Sequence, residues 1–204
     1  MSWKKTNKER LLEAVEKRDD KTIIECAHTA EKVLMNLSYS QANFFSCLLS
    51  YVGEKFGDKA VEDGLMYVAE HTWKDGYSQI LSDKKKVIDF WLDIYNCITF
   101  DFDMVEEKDK VTIIVNNCKT GGKVAKESKK IGVSRQEAEW CFNKKGIPYY
   151  CSHCKVNKEI IPKMMGYYDY EFECGVSKDS NGKLIQEPCK LIIHHARYED
   201  CINN

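Results

Sequence analysis

Three side chains able to bind metal or act as nucleophiles or bases stand within four residues at Cys151-Ser152-His153-Cys154. Thiolates and an imidazole at this spacing hold a soft or borderline metal ion, or pair a nucleophile with its base. An ordinary core does not call for such a cluster. Seven of the ten cysteines fall after position 117: Cys118, Cys141, Cys151, Cys154, Cys174, Cys189 and Cys201. Cys118 ends one strand-like run, Cys174 ends another, and Cys189 lies in the last. In an antiparallel sheet such positions converge at one end.

Two chemistries stay open for this set. Cys118, Cys151, Cys154 and Cys189, with His153 or Cys174 in reserve, would close a tetrahedral site. Thiolate softness favours zinc first, with iron or an iron–sulfur cluster as the variant. The spacing lacks the second C-x-x-C of a compact zinc ribbon. The other chemistry is catalytic, with Cys151 or Cys154 as the nucleophile and His153 as the base, or a metal-bound water in their place. A set of simply reduced thiols is the plain alternative.

Aromatic residues concentrate around the cluster. Tyr149, Tyr150, Tyr168 and Tyr170 are candidates to line a pocket for a flat or apolar ligand, or else pack the sheet. His194 and His195 are adjacent on a strand and point to opposite faces. His195 shares parity with Cys189 and is the candidate to join the site. Asp101, Asp103, Glu171 and Glu173 alternate on strands and are expected to face solvent.

Composition sets the frame that must position these groups. The chain has 204 residues, 43% hydrophobic and 31% charged, with a formal net charge of −1. That is an ordinary globular composition. Near-neutral charge argues against general nucleic-acid binding, and the lysines at 84–86 and between 119 and 130 read as solvated surface. No apolar run approaches the roughly 18 residues of a membrane span. Met1-Ser2-Trp3-Lys4-Lys5 runs on without an apolar signal-peptide core, so a cytoplasmic location is expected, where cysteines stay reduced.

The hydrophobic period divides the chain. Residues 1–97 read as five helices. Thr6-x-x-Glu9 opens the first and Thr22-x-x-Glu25 the second, whose apolar stripe is Ile23, Ala27, Ala30, Leu34 and Leu37. A third starts near Ser40 with Phe44, Phe45, Leu48, Leu49, Val52 and Phe56, and Gly57 stops it. A fourth spans about 58–73, and a fifth starts at Ser82 or Asp83. Cys26, Cys47 and Cys97 read as core thiols within these helices. From Ile98 the period becomes two. Ile98 to Met104 and Val111 to Val115 make a hairpin, and Gly121-Gly122 sits in a loop. Ser134-x-x-Glu137 caps a helix, and residues 157–165 form another. Tyr168 to Cys174 and Leu184 to His195 complete the sheet. The expectation is an α+β chain: a helical region 1–97, then a cysteine-rich antiparallel sheet with packed helices over 98–204, the two forming one compact unit.

From Ile98 onward the layout resembles the 4-vinyl reductase domain and the related L-2-amino-thiazoline-4-carboxylic acid hydrolase-like proteins. The likeness is carried by Asn116-Asn117-Cys118 at a strand end and by the cysteine-bearing turn at Cys151 and Cys154. Glu171-Phe172-Glu173-Cys174-Gly175 and Pro188-Cys189-Lys190-Leu191 continue it. In the helical half, Phe56-Gly57-Asp58-Lys59-Ala60 resembles the helix start of the hydrolase-like group. The resemblance implies a small-ligand-binding domain with cysteines at its pocket, around a metal ion in one variant, and a hydrolase of small carbon–nitrogen or carbon–sulfur compounds. A non-catalytic carrier or sensor and an interaction protein with structural zinc are the competing readings. A homodimer fits an enzyme of this size.

Overall fold

A computed structural model describes residues 5–98, 101–128, 131–179 and 181–195. Phe100 and Cys201 lie outside the described residues.

The helical half forms where capping and period point to it. The Thr6 capping box opens α1 (Asn7–Lys17). Asp19 then caps α2 (Asp20–Phe56), a single helix of 37 residues. The expected second and third helices are therefore one. No proline and no glycine before Gly53 interrupts this stretch, so nothing breaks it at Ser40. Gly57 ends α2 with φ 85°. Next come α3 (Asp58–Thr72), the short α4 (Lys74–Ser78) and α5 (Lys84–Cys97), whose N-cap is Asp83.

The second half centres on a four-stranded antiparallel sheet in the order β1-β2-β6-β3. β1 (Asp101–Glu106) and β2 (Lys110–Asn117) are the expected hairpin. β6 (Cys189–His194) pairs with β2 on one side and with β3 (Tyr170–Glu173) on the other. The expected long last strand is split. β4 (Val176–Lys178) and β5 (Leu184–Gln186) form a separate hairpin. Pro188 has no N–H for a ladder, and the Glu187 N–H turns to the Gly175 carbonyl at 2.8 Å.

Two local expectations are reversed between the strands. Gly121-Gly122 opens α6 (Gly121–Glu127) rather than lying in a loop. Ser134 caps no helix: only a 3-10 turn, Glu139–Cys141, forms there. The amides that would start a helix are taken by Asp58, whose carboxylate accepts from the N–H groups of Arg135 at 2.6 Å and Gln136 at 3.0 Å. The Ser134 hydroxyl instead donates across the loop to the Lys144 carbonyl. The cysteine cluster sits on a helix, not a turn. α7 (Tyr149–Lys155) continues through a π-helical turn (Val156–Ile160) into α8 (Ile161–Met164).

One buried cluster draws on both halves. Val61, Leu65, Val87, Ile88 and Trp91 pack with Val111, Ile113, Leu191 and Ile193. β6 alternates buried Cys189, Leu191 and Ile193 with half-buried neighbours, so one sheet face lies on the core. Cys26 is buried as expected, but Cys47 and Cys97 are exposed. Asp101, Asp103, Glu171 and Glu173 face solvent. Among the described residues no helix is long and apolar enough to cross a membrane.

Candidate functional site

A cavity of about 170 Å³ opens between α5, α7 and the cysteine-bearing ends of the sheet. It gathers Cys118, Cys151, His153, Cys154, Cys174 and Cys189 on one surface, with Tyr150 beside them. The convergence has a simple origin. Val115 of β2 is paired with Cys189 of β6, and Cys118 lies just past the end of β2. Glu173 is paired with Lys190, so the next step of the register sets Cys174 against Cys189. α7 crosses this end. Tyr150, Cys151, Cys154, Asn157 and Lys158 follow helical spacing and all line the cavity.

The sulfurs form two groups. Cys151 and Cys189 both act electrostatically on Cys174 between them, whose thiol donates to the Val176 carbonyl at 3.4 Å. The Gly175 N–H donates to Cys189 Sγ at 3.3 Å, and the Val176 N–H to Cys174 Sγ at 3.4 Å. Cys174 is pushed up first by Cys151, against a lowering effect of Cys189, and Cys189 is pushed up first by Cys174; burial adds to both. For Cys151 the Cys174 contact pulls down, but burial and the neighbouring sulfurs raise the net value. Cys118 accepts the Gly122 N–H at 3.4 Å and is raised by burial. The glycines allow a close approach here: a Cβ on Gly122 would lie 3.0 Å from Cys118 Cβ, and one on Gly121 3.1 Å from Cys151 Sγ.

Cys154 is different. Its Sγ lies 3.6 Å from His153 Nε2. His153 Nδ1 is bonded to the Tyr150 carbonyl. A carbonyl only accepts, so Nδ1 carries a proton and Nε2 is left to take one from the thiol. The Tyr150 ring tilts against the imidazole, with centroids 4.5 Å apart. Burial works against a thiolate at Cys154. The positive charges of His153 and Lys158 outweigh it and bring the thiol down to about 6. His153 shows the reciprocal effect: burial opposes its charge, and the Cys154 thiolate raises it overall.

Lys158 is only 7% exposed. Its Nζ donates to the Tyr95 hydroxyl at 2.6 Å and lies 4.4 Å from the ring centroids of both Trp91 and Phe172. No carboxylate among the described residues pairs with it. Burial disfavours the ammonium, yet the Tyr95 oxygen and Cys154 sulfur hold its pKa above the ordinary lysine value. The Tyr77 hydroxyl, which feels the charge on Cys154, is buried without a hydrogen-bond partner.

The other expected ligand contacts lie elsewhere. Tyr149 is buried, but its hydroxyl donates to Asp58 Oδ1 at 2.7 Å, away from the cavity. Tyr170 donates to the Leu81 carbonyl at 2.9 Å and serves the core. Tyr168 is 72% exposed. β6 ends at His194, and His195 follows with φ 54° as an exposed residue, so strand parity no longer aims it inward. Lys158, Trp91, Tyr95 and Phe172 were not anticipated. Lys158 stands four residues after Cys154, a spacing that announces a shared face once the cluster is read as helical.

For a metal ion, the donor set divides. Cys151, Cys174 and Cys189 offer soft donors already in contact, with N–H groups aimed at two sulfurs. Cys154 and Cys118 face the Lys158 ammonium, which repels a second cation. Among the described residues no group of three or more His, Cys, Asp or Glu side chains is arranged as a metal-holding set. No known protein family, curated protein or solved structure matches the chain.

Proposed function

We propose that this chain binds a small, largely apolar molecule in the cysteine-lined cavity and acts on it through the Cys154 thiolate. One observation carries the reading: the Cys154 sulfur lies between the His153 imidazole and the Lys158 ammonium, inside a pocket walled by Trp73, Trp91 and Phe172. A lowered-pKa thiolate with an adjacent, oriented imidazole is the arrangement of an activated nucleophile. The cavity volume matches the scale at which an apolar protein cavity holds a benzene-sized ring.

The chemistry fits a hydrolase of small carbon–nitrogen or carbon–sulfur compounds. Cys154 Sγ bonds to the electrophilic carbon, and the bond from that carbon to nitrogen or sulfur breaks. The His153 imidazolium protonates the leaving group. Water then releases the product from sulfur, and His153 takes the water's proton. Lys158 stabilises the thiolate and faces negative charge that develops beside it. This is the activity that the resemblance to the hydrolase-like group implies. The free thiols at all nine described cysteines suit a reducing cytoplasm. Near-neutral net charge keeps nucleic acid out of the reading.

The test is active-site labelling followed by turnover. Iodoacetamide at pH 7 with peptide mapping should modify Cys154 ahead of Cys118, Cys151, Cys174 and Cys189. A panel of small cyclic and acyclic amidines, thioesters and thiazolines should then reveal turnover that Cys154→Ser abolishes. A carrier would bind members of this panel stoichiometrically and return them unchanged. Equal labelling of all five thiols would remove the nucleophile.

A soft metal ion is the second reading, favoured by the neighbouring sulfurs of Cys151, Cys174 and Cys189. Zinc, iron or an iron–sulfur cluster would be held there by thiolates. Its role would be structural or ligand-polarising, and it leaves the Cys154–His153 pair free.

A further inference from the structure

Helix α2 is built the wrong way round for a monomer. In its C-terminal half small residues face the body of the protein: Ala42, Ser46, Ser50 and Gly53 are buried, while near its start Cys26 is buried where α1 packs. They must be small, because other chain segments come close. The Ser50 hydroxyl accepts from the Gly132 N–H at 2.6 Å, and a Cβ on Gly53 would lie 2.2 Å from the Tyr149 ring. The large apolar residues are on the outside. Leu34, Leu37, Phe44, Phe45, Leu48 and Tyr51 are all exposed, Phe44 by 67%. In the N-terminal half of the helix, residues 27–34 are exposed on every side. Leu34, Leu37, Phe44, Phe45 and Leu48 belong to the apolar stripes that the sequence sets at helical period; Leu49 and Val52 of the same run turn to the core, and nothing in the described chain covers the exposed ones.

The exposed area is too large for incidental surface. At roughly 100 Å² of exposed apolar side chain each, these six residues and Val33 present on the order of 700 Å². A monomer's largest apolar patch is ordinarily about 300–600 Å². Each partner in a standard stable interface contributes about 800 Å².

We infer that a second copy of this chain covers α2, the two α2 helices packing antiparallel about a two-fold axis near Leu37 and Ser38. The sequence of the helix is self-complementary in that register. With residue 37 opposite residue 38, Leu48 of one copy meets Ala27 of the other, and Phe45 meets Ala30. The bulky residues of each helix thus lie on Ala27 and Ala30 of its partner, which stay exposed beyond the part of α2 that α1 covers, and Leu34 lies opposite Gln41. At the ends Lys55 comes opposite Asp20, both exposed, so the flanking charges are opposite as well. A parallel pairing would set Phe44 and Phe45 against themselves and Lys55 against Lys55. The two-fold axis makes every contact occur twice. The interface also gives the exposed 27–34 stretch of a helix about 55 Å long the packing that an isolated helix lacks.

The full chain should sediment as a dimer at micromolar concentration. Leu48→Glu should make it a monomer with an unchanged far-ultraviolet circular dichroism spectrum, because Leu48 is exposed within one copy. Lys55→Glu should raise the dimer dissociation constant about fivefold at low salt, the exposed pair counting twice. Adding Asp20→Lys to Lys55→Glu should restore it. A monomeric wild type overturns the proposal. So does a Leu48→Glu dimer, or a charge reversal that the second substitution does not rescue.

Discussion

The Lys158 ammonium donates to the Tyr95 hydroxyl and stands 4.4 Å above both the Trp91 and the Phe172 rings. Aromatic faces attract a desolvated cation, at about 2 kcal/mol or more per favourable contact. They do so without neutralising it. A carboxylate partner would cancel the positive potential; two rings and a phenol leave it available to the sulfur of Cys154, one helical turn away. The cage keeps a cation inside a low-dielectric cavity, where its effect on a neighbouring thiol is strongest.

Removing that cation should therefore release the thiol upward. Lys158→Met keeps the stem volume and deletes the charge. The pH midpoint for alkylation of Cys154 should rise from about 6 by about 1–3 units, the range for loss of an opposite charge at short distance. Iodoacetamide rates measured from pH 5 to 9 would read the midpoint directly. An unmoved midpoint would leave His153 as the sole cause of the low pKa.

The Cys154–His153 pair also fixes the sign of the pH dependence. Cys154 is lowered, so the reactive thiolate is lost as pH falls through about 6. His153 is raised, so the proton it gives to a leaving group persists above the usual histidine range and is lost at higher pH. Turnover should follow a bell whose limbs belong to the coupled pair. His153→Ala should move the acid limb upward, since one of the two cations is gone, and should remove the basic limb. A single-limbed wild-type profile would count against His153 as the acid.

The metal reading has a separate signature. Cobalt(II) added to reduced protein should give a sulfur-to-metal charge-transfer band if Cys151, Cys174 and Cys189 bind it. Cys174→Ser should abolish that band, and Cys154→Ser should leave it. No band in the wild-type protein would retire this reading without touching the thiolate chemistry.

Much of this site could be read in the sequence, and the failures share a cause. Cys118, Cys174 and Cys189 are strand-end residues, and an antiparallel ladder brings strand ends together whatever the loop lengths. Period-two patterning sets Cys118 and Cys174 at strand ends; that Cys189 opens its strand follows from the break at Pro188. The helical half was legible at its caps, as at Thr6 and Asp83, but not in its tertiary role. Hydrophobic period reports that Phe44, Phe45 and Leu48 share a face; it does not say whose core that face enters. Ser134-x-x-Glu137 has the chemistry of a helix start, yet Asp58, 77 residues away from Arg135, captures the first amides. Long-range side-chain bonds of that kind leave no local trace. Lys158 was missed because reading the cluster as a turn discards helical spacing.

Tyr149 tests the division between ligand contacts and framework. It stands next to Tyr150 in sequence, but the two rings do opposite work. Tyr150 lines the cavity, whereas Tyr149 reaches the buried carboxylate of Asp58 and is gripped by two glycines. A Cβ on Gly132 would lie 2.6 Å from the Tyr149 ring and 2.9 Å from the Ser50 backbone. Tyr149→Phe keeps the ring and deletes one of three hydrogen bonds to Asp58, a loss of about 1.5–3 kcal/mol for a bond to a charged group. Gly132→Ala forces the ring or the α2 backbone to move, at about 1–3 kcal/mol. Both variants should lower the urea midpoint without changing its slope. Neither should change the alkylation rate of Cys154 under native conditions, because neither residue touches the cavity. A changed rate in Tyr149→Phe would mean that the framework around Asp58 also sets the position of the thiol, and that α7 is held in place through this single hydroxyl.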